Sequence, residues 1–323
     1  KTKVIKGKVG EWSDEDLIKE EEVLITLTQS GYIKRLPSDT YKIQGRGGKG
    51  VIGSSLREGD TILEMHTAST HDDLLFFTNK GKVYQLRVWD LPESSRVSKG
   101  QAVVNLINIS QDERVNSVLT YSGVEDKTHS GFIYLTTRKG TVKKTKLTEY
   151  LNIRRNGLTA IKLETGDELV WAKITAGDDD IMLVTHDGKS IRFPEKETRP
   201  TGRDTIGVRG VLLKKEDYVV GMESIPAKIE VPTDKRIKFF RDILVISEKG
   251  IGKRTPHNFF PKQRRGGQGV KVSVVTSKTG GIVNAQMVTE NIDQVVITTK
   301  SGKQTIKVPI DSVPRLGRAT QGV

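Results

Sequence analysis

The sequence predicts an all-β ring of six propeller-like blades with about four strands each. Three observations carry that expectation. A strand–glycine–strand unit occurs six times in the 323 residues, its anchor glycines recur every 48 to 62 positions, and a second Gly- or Ala-marked step follows each unit about twenty residues later. A period near 50 residues with several short strands per period is the mark of a propeller. One blade cannot bury its own apolar face, so the ring is the stable unit.

The first unit runs from Val23 to Thr28, turns at Gln29-Ser30-Gly31 and continues from Tyr32 to Arg35. β-Branched residues alternating around a turn glycine read as a β-hairpin. The second unit turns at Gly81, between Leu74–Thr78 and Lys82–Arg87, and the third at Gly140, between Phe132–Thr136 and Thr141–Lys146. The fourth turns at Gly188, between Ile181–Thr185 and Lys189–Phe193. The fifth turns at Gly250, between Ile243–Ile246 and Ile251–Arg254, and the sixth at Gly302, between Val295–Thr298 and Lys303–Val308. The second steps are Gly50-Val51, Ala102-Val103, Ala160-Ile161, Gly210-Val211, Gly269-Val270 and Gly322-Val323. Polar stretches at Val124–Ser130 and Ala227–Phe240 lengthen two intervals and read as loops. Residues 1–22, acidic over 11–22, form a lead-in segment, and residues 23–323 form the ring. A first residue other than Met, and an end just after the sixth step, suggest a piece of a longer chain.

Composition narrows the function. The chain has no cysteine, which excludes disulfides and thiolate metal sites and fits a reducing compartment. No apolar run approaches the roughly 20 residues needed to span a bilayer, and no signal peptide is visible. Lys plus Arg number 53 against 40 acidic residues, a net charge of +13, which favours nucleic acid or an anionic membrane as partner. Catalytic and cofactor patterns fail on context. Gly45-Arg46-Gly47-Gly48-Lys49-Gly50 fits G-x-G-x-x-G in form, but a β step follows it where a dinucleotide site needs a helix. A Walker loop needs Ser or Thr after Lys49 and meets Gly50. His66, His71, His129, His186 and His257 show no metal-ligand spacing. No catalytic residue, metal site or cofactor is expected in this chain.

The cations follow the repeat. One group occupies the strand after each anchor glycine: Lys34, Arg35, Arg87, Lys143, Lys144, Lys146, Arg192, Lys253, Arg254 and Lys303. A second precedes or adjoins the second step: Arg96, Lys99, Arg154, Arg155, Arg203, Arg209, Arg264, Arg265, Arg315 and Arg318. Equivalent positions in a ring fall on one circumference, so both groups are expected on a basic rim that carries bent duplex DNA without base specificity. A disc about 45 Å across has a perimeter near 140 Å, or roughly 40 base pairs, and roughly ten phosphate contacts give a salt slope of about −9. Between the first hairpin and its step lies Gln44-Gly45-Arg46-Gly47-Gly48-Lys49-Gly50, whose glycines let the backbone approach a partner while Arg46 and Lys49 supply charge.

Over nearly its whole length, the chain that carries these residues resembles the C-terminal domain family of the DNA gyrase A subunit. The family's box QRRGGKG corresponds to Gln44–Gly50, with Gly45 where the family has Arg. A near-copy, Gln263-Arg264-Arg265-Gly266-Gly267-Gln268-Gly269, lies in the fifth unit. Flanking matches include Gly31-Tyr32-Ile33-Lys34-Arg35, Leu91-Pro92-Glu93, Gln111-Asp112-Glu113-Arg114, Gly207-Val208-Arg209-Gly210 and Gly252-Lys253-Arg254-Thr255. The resemblance implies a six-bladed β-pinwheel, a propeller that exchanges strands between blades. It implies a non-catalytic domain that wraps double-stranded DNA with positive handedness, Gln44–Gly50 being required. The parent enzyme would then introduce negative supercoils using ATP and Mg2+ held on other domains. Partners implied are the N-terminal cleavage core of gyrase A and the gyrase B protein, in the bacterial cytoplasm at the nucleoid. The equivalent domain of topoisomerase IV is the alternative within this class. A protein-binding propeller scaffold is the alternative outside it, and it would need apolar pockets on the disc face.

Overall fold

The computed structural model describes residues 17–38, 60, 62–95, 98–122, 131–150, 153–228, 241–290, 292–298 and 305–323. Each anchor glycine within those residues closes a tight turn. Gly31, Gly81, Gly140, Gly188 and Gly250 have φ between +75° and +83°, and each donates its N–H to the carbonyl three residues earlier at 2.9–3.0 Å. Glycine enters that left-handed region at little cost. The hydroxyls of Thr28, Thr137 and Thr185 accept the N–H four residues on, at 3.1–3.3 Å. A short turn closed by a left-handed residue matches the right-handed twist of the flanking strands, so the register of each hairpin follows from its turn. Gly302 lies outside the described residues.

The first strands are β1 (Glu22–Thr28), β2 (Tyr32–Pro37), β3 (Ile62–Ser69), β4 (Asp73–Thr78), β5 (Lys82–Arg87), β6 (Gln101–Ala102) and β7 (Val115–Tyr121). Next come β8 (Phe132–Thr137), β9 (Thr141–Lys146), β10 (Leu158–Thr159), β11 (Leu169–Thr175), β12 (Asp180–Thr185), β13 (Lys189–Pro194) and β14 (Val208–Arg209). The chain closes with β15 (Val219–Ile225), β16 (Arg241–Ser247), β17 (Gly252–Pro256), β18 (Val270–Lys271), β19 (Ile282–Thr289), β20 (Gln294–Thr298) and β21 (Thr305–Pro309). The sheets read β3-β1-β2-β6, β7-β4-β5-β10, β11-β8-β9-β14, β15-β12-β13-β18 and β19-β16-β17. The strands β3, β7, β11, β15 and β19 line a shared hub cavity of about 680 Å³. The opposite, outermost strand of each four-stranded sheet is a two-residue segment supplied by the following unit: Tyr32 pairs with Ala102, and Ser190 with Val270.

This exchange corrects the expected blade count. Six repeats build five blades, because each blade draws its hairpin and inner strand from one unit and its outer segment from the next. The sixth unit contributes Val323, which exchanges backbone hydrogen bonds of 2.8 and 3.1 Å with Gly252 and so borders blade five. The sixth unit's own β20–β21 hairpin is a two-stranded sheet. Among the described residues no inner or outer strand joins it, and two strands alone do not make a blade.

The core consists of layers between neighbouring blades. Blade one's Val23, Ile25 and Leu27 pack with blade two's Leu74, Phe76 and Tyr84. Leu75 and Phe77 meet Ile133 and Leu135 at the next junction, and Met182 and Val184 meet Ile243 and Val245 further on. Because the middle strands are covered on both faces, β4 and β12 are buried at every position. This explains why Leu74–Phe77 and Ile181–Val184 are continuous apolar runs rather than alternating ones. Residues 18–21 precede β1 and are tied to unit one: Thr70 Oγ1 donates to Lys19 O at 2.9 Å, and Glu21 N donates to Thr70 Oγ1 at 3.1 Å. No helix among the described residues is long and apolar enough to cross a membrane.

Candidate nucleic-acid interface

The outer strands set the edge of the disc. Chain reaching them must cross the preceding hairpin at close range. At Gly269 (φ +73°) an added Cβ would sit 2.2 Å from Ser190 O, so only glycine fits the crossing. This gives the last glycine of the 263–269 motif a structural meaning: it admits the exchanged strand. The first box, Gln44, Gly45, Arg46, Gly47, Gly48, Lys49 and Gly50, lies outside the described residues, as do Arg96 and Lys303.

Exposed cations gather along this edge. Lys99, Arg154, Arg155, Arg209 and Arg264 are exposed in the outer strands or the loops that enter them, as is Lys146 at the end of β9. Lys99 Nζ lies 3.6 Å from the centroid of the Tyr32 ring. Arg203, Arg265 and Arg318 are half-buried in the same loops. Sequence reading missed Lys162 and Lys271, exposed beside or within outer strands β10 and β18. The clue was available in the position two residues after the crossing glycine, where Lys271 and Arg209 coincide. Lys271 stands directly opposite Lys189 in the β13–β18 pair, a like-charge arrangement that costs stability unless an anion neutralises it.

The cations of the strand after the anchor glycine, expected on the rim, are mostly turned inward. Lys34, Lys143, Lys144, Lys253 and Arg254 are buried, and their charges are satisfied inside the protein. Lys34 Nζ donates to Ser98 O at 2.7 Å. Lys143 Nζ donates to Ala160 O at 2.6 Å and to Arg203 O. Lys253 Nζ donates to Gly317 O, Arg318 O and Thr320 O at 2.6–2.9 Å. Apart from Ala160 O, which lies in Lys143's own unit, these carbonyls belong to the next unit's outer loops. Burial pushes the Lys143 and Lys253 ammonium groups down to about 8, and lowers Lys34 and Lys144 as well. One residue further along, Lys144 meets Glu195 O at 3.2 Å. Arg254 Nε donates to Val313 O at 3.0 Å, and Arg35 Nε to Leu91 O at 2.8 Å. Arg192 pairs with buried Asp180 at 2.7 Å and Arg87 with buried Asp73 at 3.2 Å. Arg315, half-exposed, pairs with Asp242 at 2.9 Å. Arg87 braces its own hairpin, whereas the others clasp successive blades, Arg192 through its Nη1, which donates to His257 O at 3.0 Å. A cation on a strand and a cation on its neighbouring loop look alike in sequence, and the direction of the side chain separates them.

Titratable groups elsewhere make local contacts. His71 Nε2 lies 2.9 Å from Ile18 O, and His257 Nδ1 2.9 Å from Arg241 O. Sequence spacing missed one grouping: His186, Asp187 and Asp217 bring one ligand atom each within 4.8 Å of one another.

The fold and this edge together define a strand-exchanged β-propeller with a cationic rim. The model of the DNA gyrase C-terminal domain, beta-propeller, matches six segments of the chain: residues 22–69, 72–122, 131–176, 179–226, 241–289 and 293–323. The chain belongs to that family. It is 39% identical over 323 residues to the DNA gyrase A subunit of Staphylococcus aureus (strain MRSA252), covering all of this chain and 35% of the relative. The chain therefore spans about a third of the length of the curated relatives it matches. Among solved structures, the C-terminal domain of DNA topoisomerase IV superposes with a TM-score of 0.74 at 27% identity, covering 95% of this chain and 89% of the other. A DNA gyrase A C-terminal domain superposes with a TM-score of 0.70 at 28% identity, covering 94% of each chain.

Proposed function

We propose that this chain binds double-stranded DNA along its outer edge and bends it around the disc, as a non-catalytic part of a DNA gyrase A subunit. The observation that carries the reading is the run of exposed cations on consecutive outer strands and loops, capped by the facing Lys189 and Lys271. Charges repeated around a convex edge can neutralise phosphates of a curved duplex without reading bases. Within the parent enzyme, a positive-handed wrap would present a crossover to the cleavage core of gyrase A. ATP and Mg2+ on other domains and on the gyrase B protein would then drive negative supercoiling in the bacterial nucleoid. The box at 44–50 is proposed as the essential anchor of the wrap.

The test is topological. Nicked circles are ligated with the chain bound, and the linking difference is read after the protein is removed. A positive difference is expected, together with tight binding of duplexes of about 40 base pairs and weak binding of 15-mers. No linking change, or equal affinity for both lengths, defeats the reading.

A further inference from the structure

The box-like motif at 263–269 carries two adjacent arginines that do different things. Arg264 is exposed, whereas Arg265 turns along the rim. Arg265 Nη1 donates to Arg209 O at 2.5 Å, its Nε to Glu197 O at 3.3 Å, and its backbone N–H to Glu197 Oε2 at 2.8 Å. One unit later, Arg318 Nη1 donates to Lys271 O at 3.1 Å. Arg265 and Arg318 each lie four residues before a crossing glycine, Gly269 or Gly322. Their acceptors, Arg209 and Lys271, each lie two residues after the preceding crossing glycine, Gly207 or Gly269. Each arginine therefore grips the backbone of the residue that presents an exposed rim cation. Arg203 holds the same place in the repeat but faces Glu149 at 3.9 Å, so the grip occurs at two junctions among the described residues.

Backbone bonds already join these loops: Leu212 N–H donates to Gly267 O at 2.9 Å and Gly266 N–H to Gly210 O at 2.8 Å at one junction, and Val274 N–H donates to Thr320 O at 3.1 Å at the next. Main-chain bonds leave the tilt of one loop against the other compliant, and a side-chain attachment beside them stiffens it. We propose that Arg265 and Arg318 are positioning residues for DNA bending, fixing the angle between neighbouring outer strands so that the cations of successive blades follow one curved path. The inference rests on the DNA-bending reading above.

The experiment compares R264Q, R265Q and R318Q in this 323-residue chain, each checked for an unchanged melting temperature. Binding of a duplex of about 40 base pairs is measured across a salt series, and the linking difference by ligation of nicked circles. R264Q removes a phosphate contact, so its log–log salt slope falls by about 0.9. R265Q and R318Q keep the parent's slope and its affinity for 15-mers, while the linking difference per bound chain drops about twofold. A slope change in R265Q equal to that of R264Q would make Arg265 a phosphate contact and overturn the inference, as would parental linking differences in both R265Q and R318Q. If one grip variant melts early, the other decides. If the parent itself produces no linking difference, the DNA-bending reading fails instead, and the inference with it.

Discussion

Three residues after each anchor glycine the repeat places Lys34, Tyr84, Lys143, Ile191 and Lys253, and all five approach the same element of the next unit, Ile191 through its Cδ1 beside Gly267. The lysines donate to its loop carbonyls, and the Tyr84 ring covers Gly157 at the crossing. The position demands a side chain long enough to reach the exchanged loop, and polarity follows from whether that loop turns carbonyls inward. Lys253 is the most completely enclosed of the lysines. Replacing it with Met removes a donor from three carbonyls, of which Gly317 O keeps Thr320 Oγ1 and Thr320 O keeps Val274 N–H, and should destabilise the chain by about 1–3 kcal/mol at pH 7.5. Its folded-state value near 8 lies below the ordinary 10.5, so between those values the unfolded chain holds the extra proton and stability rises with pH. Urea unfolding at pH 7.5 and 9.5 should show this rise in the parent and a smaller one in K253M. Equal rises in both would mean that Lys253 keeps its ordinary value in the fold.

At the scale of the element, the two-residue outer strand decides both architecture and chemistry. β18 is held by a glycine crossing on one side and the Lys189–Lys271 facing pair on the other. Stability and binding pull in opposite directions there. The substitution K271E sets a carboxylate against Lys189 and should stabilise the chain by about 0.2–1 kcal/mol, while weakening its grip on DNA and lowering the salt slope by about one contact. Thermal unfolding and anisotropy titration on the same protein check both signs. Loss of stability together with unchanged binding would remove β18 from the interface. The hairpins were legible in sequence because a T-x-x-G turn is local: Thr28 to Gly31 specifies its own geometry. The partner of an outer strand was not legible, because Ala102 finds Tyr32 across 70 positions by tertiary packing.

Across the whole molecule, stacked interblade layers make stability a sum of nearest-neighbour junctions. Strand exchange ties each junction a second time through the loops at the rim. The clasping cations on β2, β9, β13 and β17 therefore hold the disc together, leaving the outer loops to meet a partner. Alanine at Arg46 and Lys49 should abolish negative supercoiling by the assembled enzyme while ATP-driven relaxation continues. Persistent supercoiling would shift the anchoring role to the copy at 263–269, where Arg264 is already exposed.

By itself the sequence determined the repeat, the turns, the all-β class, the basic balance and the family, because each is written in local spacing or in ordered motifs. It marked the loops before the second steps as cationic, and Arg154, Arg155, Arg209 and Arg264 do stand exposed there. Only the tertiary structure decided that six repeats make five blades, since a blade is shared between two units and a count of units is not a count of sheets. It alone decided which cations face water. Burial and carbonyl contacts depend on which loop lies opposite, and strand exchange sets that loop from the next repeat.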